Sequence, residues 1–321
     1  MKAAIYEVNG DPENLRIADI DDPVPGRHDV LIGVHAISIE GGDVLTRRRV
    51  PAQSGGDVVG YAGAGVVVAV GSGVVAISPG DRVAAFNWSG SHAELWSVPE
   101  TFVYRVPFGL DLRIAATIPV AFGTAGDALF EFGGLLKDEC VLVRGATGGV
   151  GIAAVQLAAR NGSRVIATTS TNDLARQLTA LGAEHVINYR SSDLTGETLA
   201  LTDGRGVDLL IDLAGGSGLT DLISAVRYRG RISVVGASSG EPTTIEFGQL
   251  VSRSLSVFGI SFGQEMHLPR AHRLVETYLE EAAAGLVKMP IERCYPLAEV
   301  GAAHRHAEFG HPFGRVIMTT F

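Results

Sequence analysis

Apolar positions come in short runs through the first third of the chain. Residues 30–36, 66–70, 82–86 and 93–98 are rich in Val, Leu and aromatic side chains, the composition of half-buried strands. Turn signals stand between them, at Pro23-Val24-Pro25-Gly26 and Ser78-Pro79-Gly80-Asp81. Strands at this spacing with no helical pattern between them predict a compact, barrel-like β lobe. From about residue 119 the period changes. Val/Ile/Leu runs at 140–144, 164–168, 185–189, 207–213 and 231–235 alternate with helical patterns at 150–160, 174–181 and 219–227. Strands without polar alternation, each leading to a helix, predict a parallel sheet covered on both faces. A long helical pattern at 270–284 follows. The last apolar run, 314–318, is expected to return to the first lobe.

One stretch invites a different reading. Residues 58–80 carry no charge, and their number would span a bilayer. Gly60, Gly63, Gly65, Gly71 and Gly73 interrupt the stretch and Pro79 ends it, so two strands bending around a barrel corner are expected instead. The chain's start reaches Glu7 before any apolar segment of signal-peptide length has formed. A cytoplasmic protein with no membrane partner is expected.

Composition narrows the class. The 321 residues exceed the usual single domain, and 46% apolar with 19% charged residues excludes a disordered chain. A net charge of −9 lacks the basic footprint of a nucleic-acid binder. Two cysteines can build neither a disulfide framework nor a four-thiolate zinc site. Cys140 opens an apolar run and Cys294 lies in the tail, so both are expected as small core residues.

The strongest motif is Gly145-Ala146-Thr147-Gly148-Gly149-Val150-Gly151, which follows the run 140–144 and opens a helix. Glycines there let the backbone approach a pyrophosphate, and the helix N-terminus favours its charge. An acidic residue about 20 positions on would bind the ribose 2′-hydroxyl of NAD. Thr168-Thr169-Ser170-Thr171-Asn172 stand there instead. Asp173 reads as a first-turn acid on the next helix. Hydroxyls with Arg176 and Arg190 nearby suit a 2′-phosphate, so the cofactor expected is NADPH.

With these motifs the chain resembles the medium-chain dehydrogenase/reductase superfamily, in its zinc-free NADPH:quinone oxidoreductase (zeta-crystallin-like) branch. Gly80-Asp81-Arg82-Val83, Ser91-His92-Ala93-Glu94, the segment from Ile118 to Ala125, the glycine loop, Val186-Ile187-Asn188-Tyr189 and the close at Ala303-His304 and Gly314-Arg315-Val316-Ile317 carry the likeness. It implies an α/β protein with a Rossmann doubly wound parallel sheet plus a β-rich GroES-like catalytic lobe. The catalytic domain would be 1–118, completed by 264–321, and the NADPH-binding domain 119–263. Thr147, Gly148, Gly149 and Val150 would hold the pyrophosphate, and Ser170 and Tyr189 would lie at the 2′-phosphate. Thr124 would sit near nicotinamide and Ser238 beside the cofactor. Leu174 stands where the branch commonly has a Lys, and Arg176 is expected in its stead.

The resemblance also locates where zinc-dependent relatives keep their ligands. Those places look like Glu40, Gly56 and Val120, so no metal is expected and alcohol oxidation is disfavoured. Hydride transfer to a quinone or an α,β-unsaturated carbonyl remains. The alternatives are an enoyl reductase of a polyketide-like biosynthetic intermediate, or a crystallin-like or sensor protein that binds cofactor with little turnover.

Candidate catalytic residues are Glu40 and Asp43. Glu40 stands where the branch usually has Asn. It is either an acid or hydrogen-bond partner for substrate, or one half of a pair with an arginine or a cap on backbone amides. Asp43 is expected to bond the backbone of its turn as well. Arg47-Arg48-Arg49 reads as a solvated loop, with attraction of an anionic substrate as the alternative. Trp88, His92 and Trp96 are expected to shape a pocket, His92 shows no partner and is expected to pack rather than catalyse, and no phenol is evident as proton donor, since Leu45 and Pro51 replace the family's tyrosines. A homodimer acting on a small molecule is the expected assembly.

Overall fold

The computed structural model describes residues 1–53 and 56–320. They form two compact units, one of residues 1–120 with 263–321, the other of residues 121–262.

In the first unit, β1 (Lys2–Tyr6), β2 (Arg16–Asp19), β3 (Asp29–Ser38), β4 (Asp57–Val58), β5 (Ala62–Val70), β6 (Arg82–Phe86), β7 (Leu95–Pro99) and β8 (Val103–Arg105) follow one another, with the helix α1 (Gly41–Arg49) between β3 and β4. In the second, β9 (Cys140–Arg144), β10 (Arg164–Thr169), β11 (His185–Asn188), β12 (Val207–Asp212), β13 (Val226–Val234) and β14 (Ser256–Gly259) follow one another. The chain then returns to the first unit with β15 (Ile291–Pro296) and β16 (Arg315–Thr319).

The second unit is one parallel sheet in the order β11-β10-β9-β12-β13-β14. The order reverses between β9 and β12, and beyond the carboxyl ends of strands at such a point open sheets bind ligands. Cys140, Leu142, Ile166, Leu210 and Ile232 form the core of this sheet. Their strands are apolar on both faces because helices cover both. The first unit contains a sheet in the order β15-β16-β3-β5-β6-β8, with β7 also paired to β3, and a smaller one, β2-β1-β4. Its core gathers Ile32, Val34, Val83, Trp96 and Val98 with Val316 and Met318 of the returning tail.

The uncharged stretch runs from Val58, the last residue of β4, through β5, with the bend at Gly60, whose φ is +96°. Among the described residues no helix is long and apolar enough to cross a membrane.

Three readings are corrected. Residues 219–227 are not one helix: the helix Ser217–Leu222 and a 3-10 turn end at Ala225, and Val226 begins β13. Val226 is β-branched and pairs with Val207, and Arg227 is ion-paired with Asp208, so tertiary pairing wins over the local helical period. Arg47, Arg48 and Arg49 are not a loop but the last turn of α1, where cations oppose the helix dipole. Arg47 is fully buried, bonded to the Gly10 carbonyl and ion-paired with Glu308. Glu308 also lies 3.0 Å from Arg48, but Arg48 and Arg49 stay exposed, so only Arg47 departs from the solvated reading. Cys294 is exposed on β15 rather than buried, while Cys140 is buried.

Candidate active site

In the second unit, β9 ends at Arg144 and the chain turns at Gly145, with φ +86°. The helix Gly149–Arg160 then starts from Gly148 with no side-chain cap. The Ile152 N–H bonds to the Gly148 carbonyl at 2.8 Å, whereas among the described residues no acceptor takes the N–H groups of Gly149, Val150 or Gly151. Three amides thus point out of the helix start, where the dipole favours an anion. A side chain at Gly151 would overlap Gly145 and Ala146, so this glycine lets helix and strand pack. A Cβ at Gly148 would meet only the Gly145 carbonyl, at 3.8 Å, leaving room for a phosphate. A pyrophosphate fits this cradle.

The neighbouring strand ends complete the edge. Thr168 Oγ1 accepts the Gly145 N–H at 3.1 Å. Ser170 follows β10 directly, and the Tyr189 N–H bonds to the Thr169 carbonyl at 3.1 Å, which puts Tyr189 beside the end of β10. Tyr189, Arg176 and Arg190 are exposed. Asp173 lies in the short turn Asn172–Leu174 beyond the strand, so no carboxylate ends β10. Ser238 lies after β13 with its hydroxyl donating to the Leu213 carbonyl at 3.2 Å. Thr147 to Val150, Ser170, Tyr189 and Ser238 therefore gather at the carboxyl ends of β9, β10, β11 and β13. Arg176 stands on the helix Ala175–Ala180, and Thr124 is buried in the helix Ile118–Gly126.

One residue of this edge was not singled out from sequence. Arg144 donates to Asp212 Oδ1 at 2.9 Å and to the Gly215 carbonyl at 2.8 Å. It ties the ends of β9 and β12 together where the strand order reverses. The only hint in the sequence is a charged residue closing an apolar strand.

In the first unit, the chemistry gathers at the start of α1. β16 runs antiparallel to β3 with Ile317 opposite Ser38, and two residues further along that register Arg315 faces Glu40. The two form a buried ion pair. Ser38 Oγ donates to Glu40 Oε1 at 2.8 Å, and Asp43 Oδ2 accepts the Glu40 N–H at 2.8 Å. Burial raises the Glu40 carboxyl above its ordinary range, with Arg315 and Ser38 opposing. Burial pushes Asp43 well up too. The Glu40 N–H pulls it back and the Glu40 charge adds to the rise. Both oxygens of Glu40 are occupied, the arginine-pair and backbone reading left open above.

A phenol does reach this site. Tyr61, between β4 and β5, accepts the Gly42 N–H on its hydroxyl oxygen at 3.1 Å. Gly56, expected at one of the places where zinc-dependent relatives keep a ligand, lies instead against Ile5 and Tyr6, and Tyr61, in Gly60-Tyr61-Ala62, is the residue this segment brings to α1. Asp43, Thr46, Tyr61, Asn87, Trp88 and Trp96 line a cavity of about 490 Å³ in this unit.

His92 has a partner after all. Its Nε2 lies 3.0 Å from Nε2 of buried His304, and its Nδ1 lies 3.2 Å from Ser91 Oγ. Burial lowers His92 to about 3, and burial with the neighbouring His92 and Arg47 takes His304 well below the usual range. His304 Nδ1 is buried without a partner. An unmet lone pair costs less than an unmet N–H, which assigns the Nε2 proton to His304 and the Nδ1 proton to His92.

Among the described residues no three His, Cys, Asp or Glu side chains come together to hold a metal. With Glu40 committed to Arg315, a zinc ion does not fit this donor set.

Comparison with known proteins agrees with this layout. Residues 26–108 match the family described as alcohol dehydrogenase GroES-like domain, and residues 149–277 match zinc-binding dehydrogenase. The chain is 31% identical to quinone oxidoreductase of Homo sapiens over 324 residues, 95% of this chain and 93% of that one. It superposes on the crystal structure of Escherichia coli quinone oxidoreductase complexed with NADPH with a TM-score of 0.93 at 26% identity, covering 99% and 100% of the two chains. It is also 30% identical over 313 residues to a mycocerosic acid synthase-like polyketide synthase of Mycobacterium tuberculosis, matching 96% of this chain and 15% of that protein.

Proposed function

This chain belongs to the quinone oxidoreductases of the medium-chain dehydrogenase/reductase superfamily, and from that premise we propose that it reduces a quinone or an α,β-unsaturated carbonyl without zinc. It is an NADPH-dependent oxidoreductase. The observation that carries the cofactor is the open start of the helix Gly149–Arg160 beside the end of β10, which bears hydroxyls and no carboxylate. When bound, NADPH supplies the hydride. The amides of Gly149, Val150 and Gly151 with Thr147 and Gly148 hold the pyrophosphate. Ser170, Arg176 and Tyr189 take the 2′-phosphate, and Thr124 and Ser238 flank the rest of the cofactor.

In the first unit Glu40 and Asp43 organise the start of α1, and the cavity beside it receives the acceptor. Oxidation of NADPH, followed at the nicotinamide absorbance band with a panel of quinones and enones, tests the reading. Cofactor binding with no oxidation across the panel favours the crystallin-like alternative. The match to a polyketide synthase segment favours a second reading, an enoyl reductase of a biosynthetic intermediate, and preference for an enoyl thioester over every quinone supports it. A cytoplasmic homodimer belongs to the same proposal. The open edge of β14 supports pairing between subunits, and light scattering after size exclusion measures it.

A further inference from the structure

Resting on the reductase reading above, we propose that Tyr61 is a catalytic residue that hydrogen-bonds the carbonyl oxygen of the acceptor through its hydroxyl. Its backbone is fixed on both sides. Gly60 adopts φ +96° and lies so close to His92 that a Cβ there would overlap the imidazole. The Tyr61 carbonyl accepts the Asn87 N–H at 3.1 Å. The ring meets Phe86 edge-on at 5.9 Å and 72°, and Phe86 meets Trp88 at 5.2 Å. A donor held this way needs no reordering as charge develops.

The hydroxyl's surroundings set its direction. Its oxygen accepts from Gly42, the second residue of α1, and an accepted bond strengthens a hydroxyl as donor. Among the described residues none takes its proton in return. The residue is half-buried and lines the cavity with Asp43, Asn87 and Trp88. Burial, then the charges of Asp43 and Glu40, push its ionisation well above the usual phenol range. It therefore keeps its proton throughout the neutral range.

The step balances as follows. Hydride forms a C–H bond at the acceptor carbon and the carbon–carbon π bond breaks. The electron pair shifts to the carbonyl oxygen, where Tyr61 meets the growing charge, and the reduced acceptor takes one proton from water. The cofactor is oxidised and the acceptor reduced by two electrons.

Steady-state kinetics of Tyr61→Phe with 2-cyclohexenone and 1,4-benzoquinone test this, with NADPH affinity and thermal midpoint measured alongside. Loss of one such donor lowers kcat by about 100-fold. That loss is expected with the enone and a smaller one with the more electrophilic quinone, while NADPH affinity holds. An enone kcat within threefold of wild type, or equal losses for both acceptors, overturns the role of Tyr61. A wild-type protein that oxidises NADPH with neither acceptor sinks the reductase reading instead. Should the variant fail to fold, 3-fluorotyrosine placed at position 61 keeps the shape and makes a stronger donor. Enone turnover must then match or exceed wild type, and a fall overturns the inference.

Discussion

The Glu40 carboxylate and the Arg315 guanidinium form a buried ion pair between the end of β3 and the start of β16. It joins the N-terminal and C-terminal portions of the first unit directly under the start of α1. Neutralising one member leaves the other charged and unpaired in the interior, which costs about 3–5 kcal/mol. Glu40→Gln is expected to lower the thermal midpoint by several degrees and turnover with it. Glu40→Gln combined with Arg315→Met removes both charges and recovers most of the stability. Turnover that recovers in the double variant identifies a positioning role. Turnover that stays low while the midpoint recovers identifies Glu40 as an acid.

Arg176 is exposed on the helix after Ser170 and carries the charge expected at the 2′-phosphate. A hydrogen bond to a charged group contributes about 1.5 kcal/mol, or roughly tenfold in affinity. Arg176→Ala is expected to raise KM for NADPH about that much and leave KM for NADH alone. Equal change for both cofactors would show that Arg176 does not read the phosphate.

The buried pair His92–His304 makes the first unit acid-sensitive. Burial holds His92 down to about 3 in the folded chain, against an ordinary value near 6.5. Above that value both states are neutral and nothing changes. Below it the unfolded chain takes up protons that the folded chain refuses, so stability falls with pH. Each histidine contributes up to about 1.4 kcal/mol per pH unit. Urea midpoints between pH 7 and 5 are expected to fall less steeply in His304→Gln than in wild type, and parallel slopes would remove the pair as the cause.

Asp208 works in the opposite direction. Burial alone would raise its carboxyl, but Arg205, the Cys140 N–H and Arg227 outweigh it and hold it at about 2. The lowered value stabilises the fold above the unfolded carboxylate range, and the gain is lost as pH falls through 2. Asp208→Asn is expected to cost about 2 kcal/mol at neutral pH. The gap from wild type in urea unfolding should close between about pH 4 and pH 2, whereas a constant gap would assign the loss to packing.

Much of this protein follows from local pattern alone. The runs that became β9 to β12, the glycine loop with its helix, and the lack of a carboxylate after β10 depend on residues adjacent in the chain, where period and turn chemistry act directly. Position within the tertiary structure decided the rest. Arg315 faces Glu40 because of strand register between segments some 275 residues apart in numbering. His304 and Glu308 lie four residues apart on one face of the helix Val300–Phe309, so docking of that face gives His92 a partner and buries Arg47. Tyr61 reaches Gly42 because the bend at Gly60 turns β5 toward α1. None of these pairs lies within one helical or strand period, and the burial that shifts their protonation exists only once the sheets have closed around them.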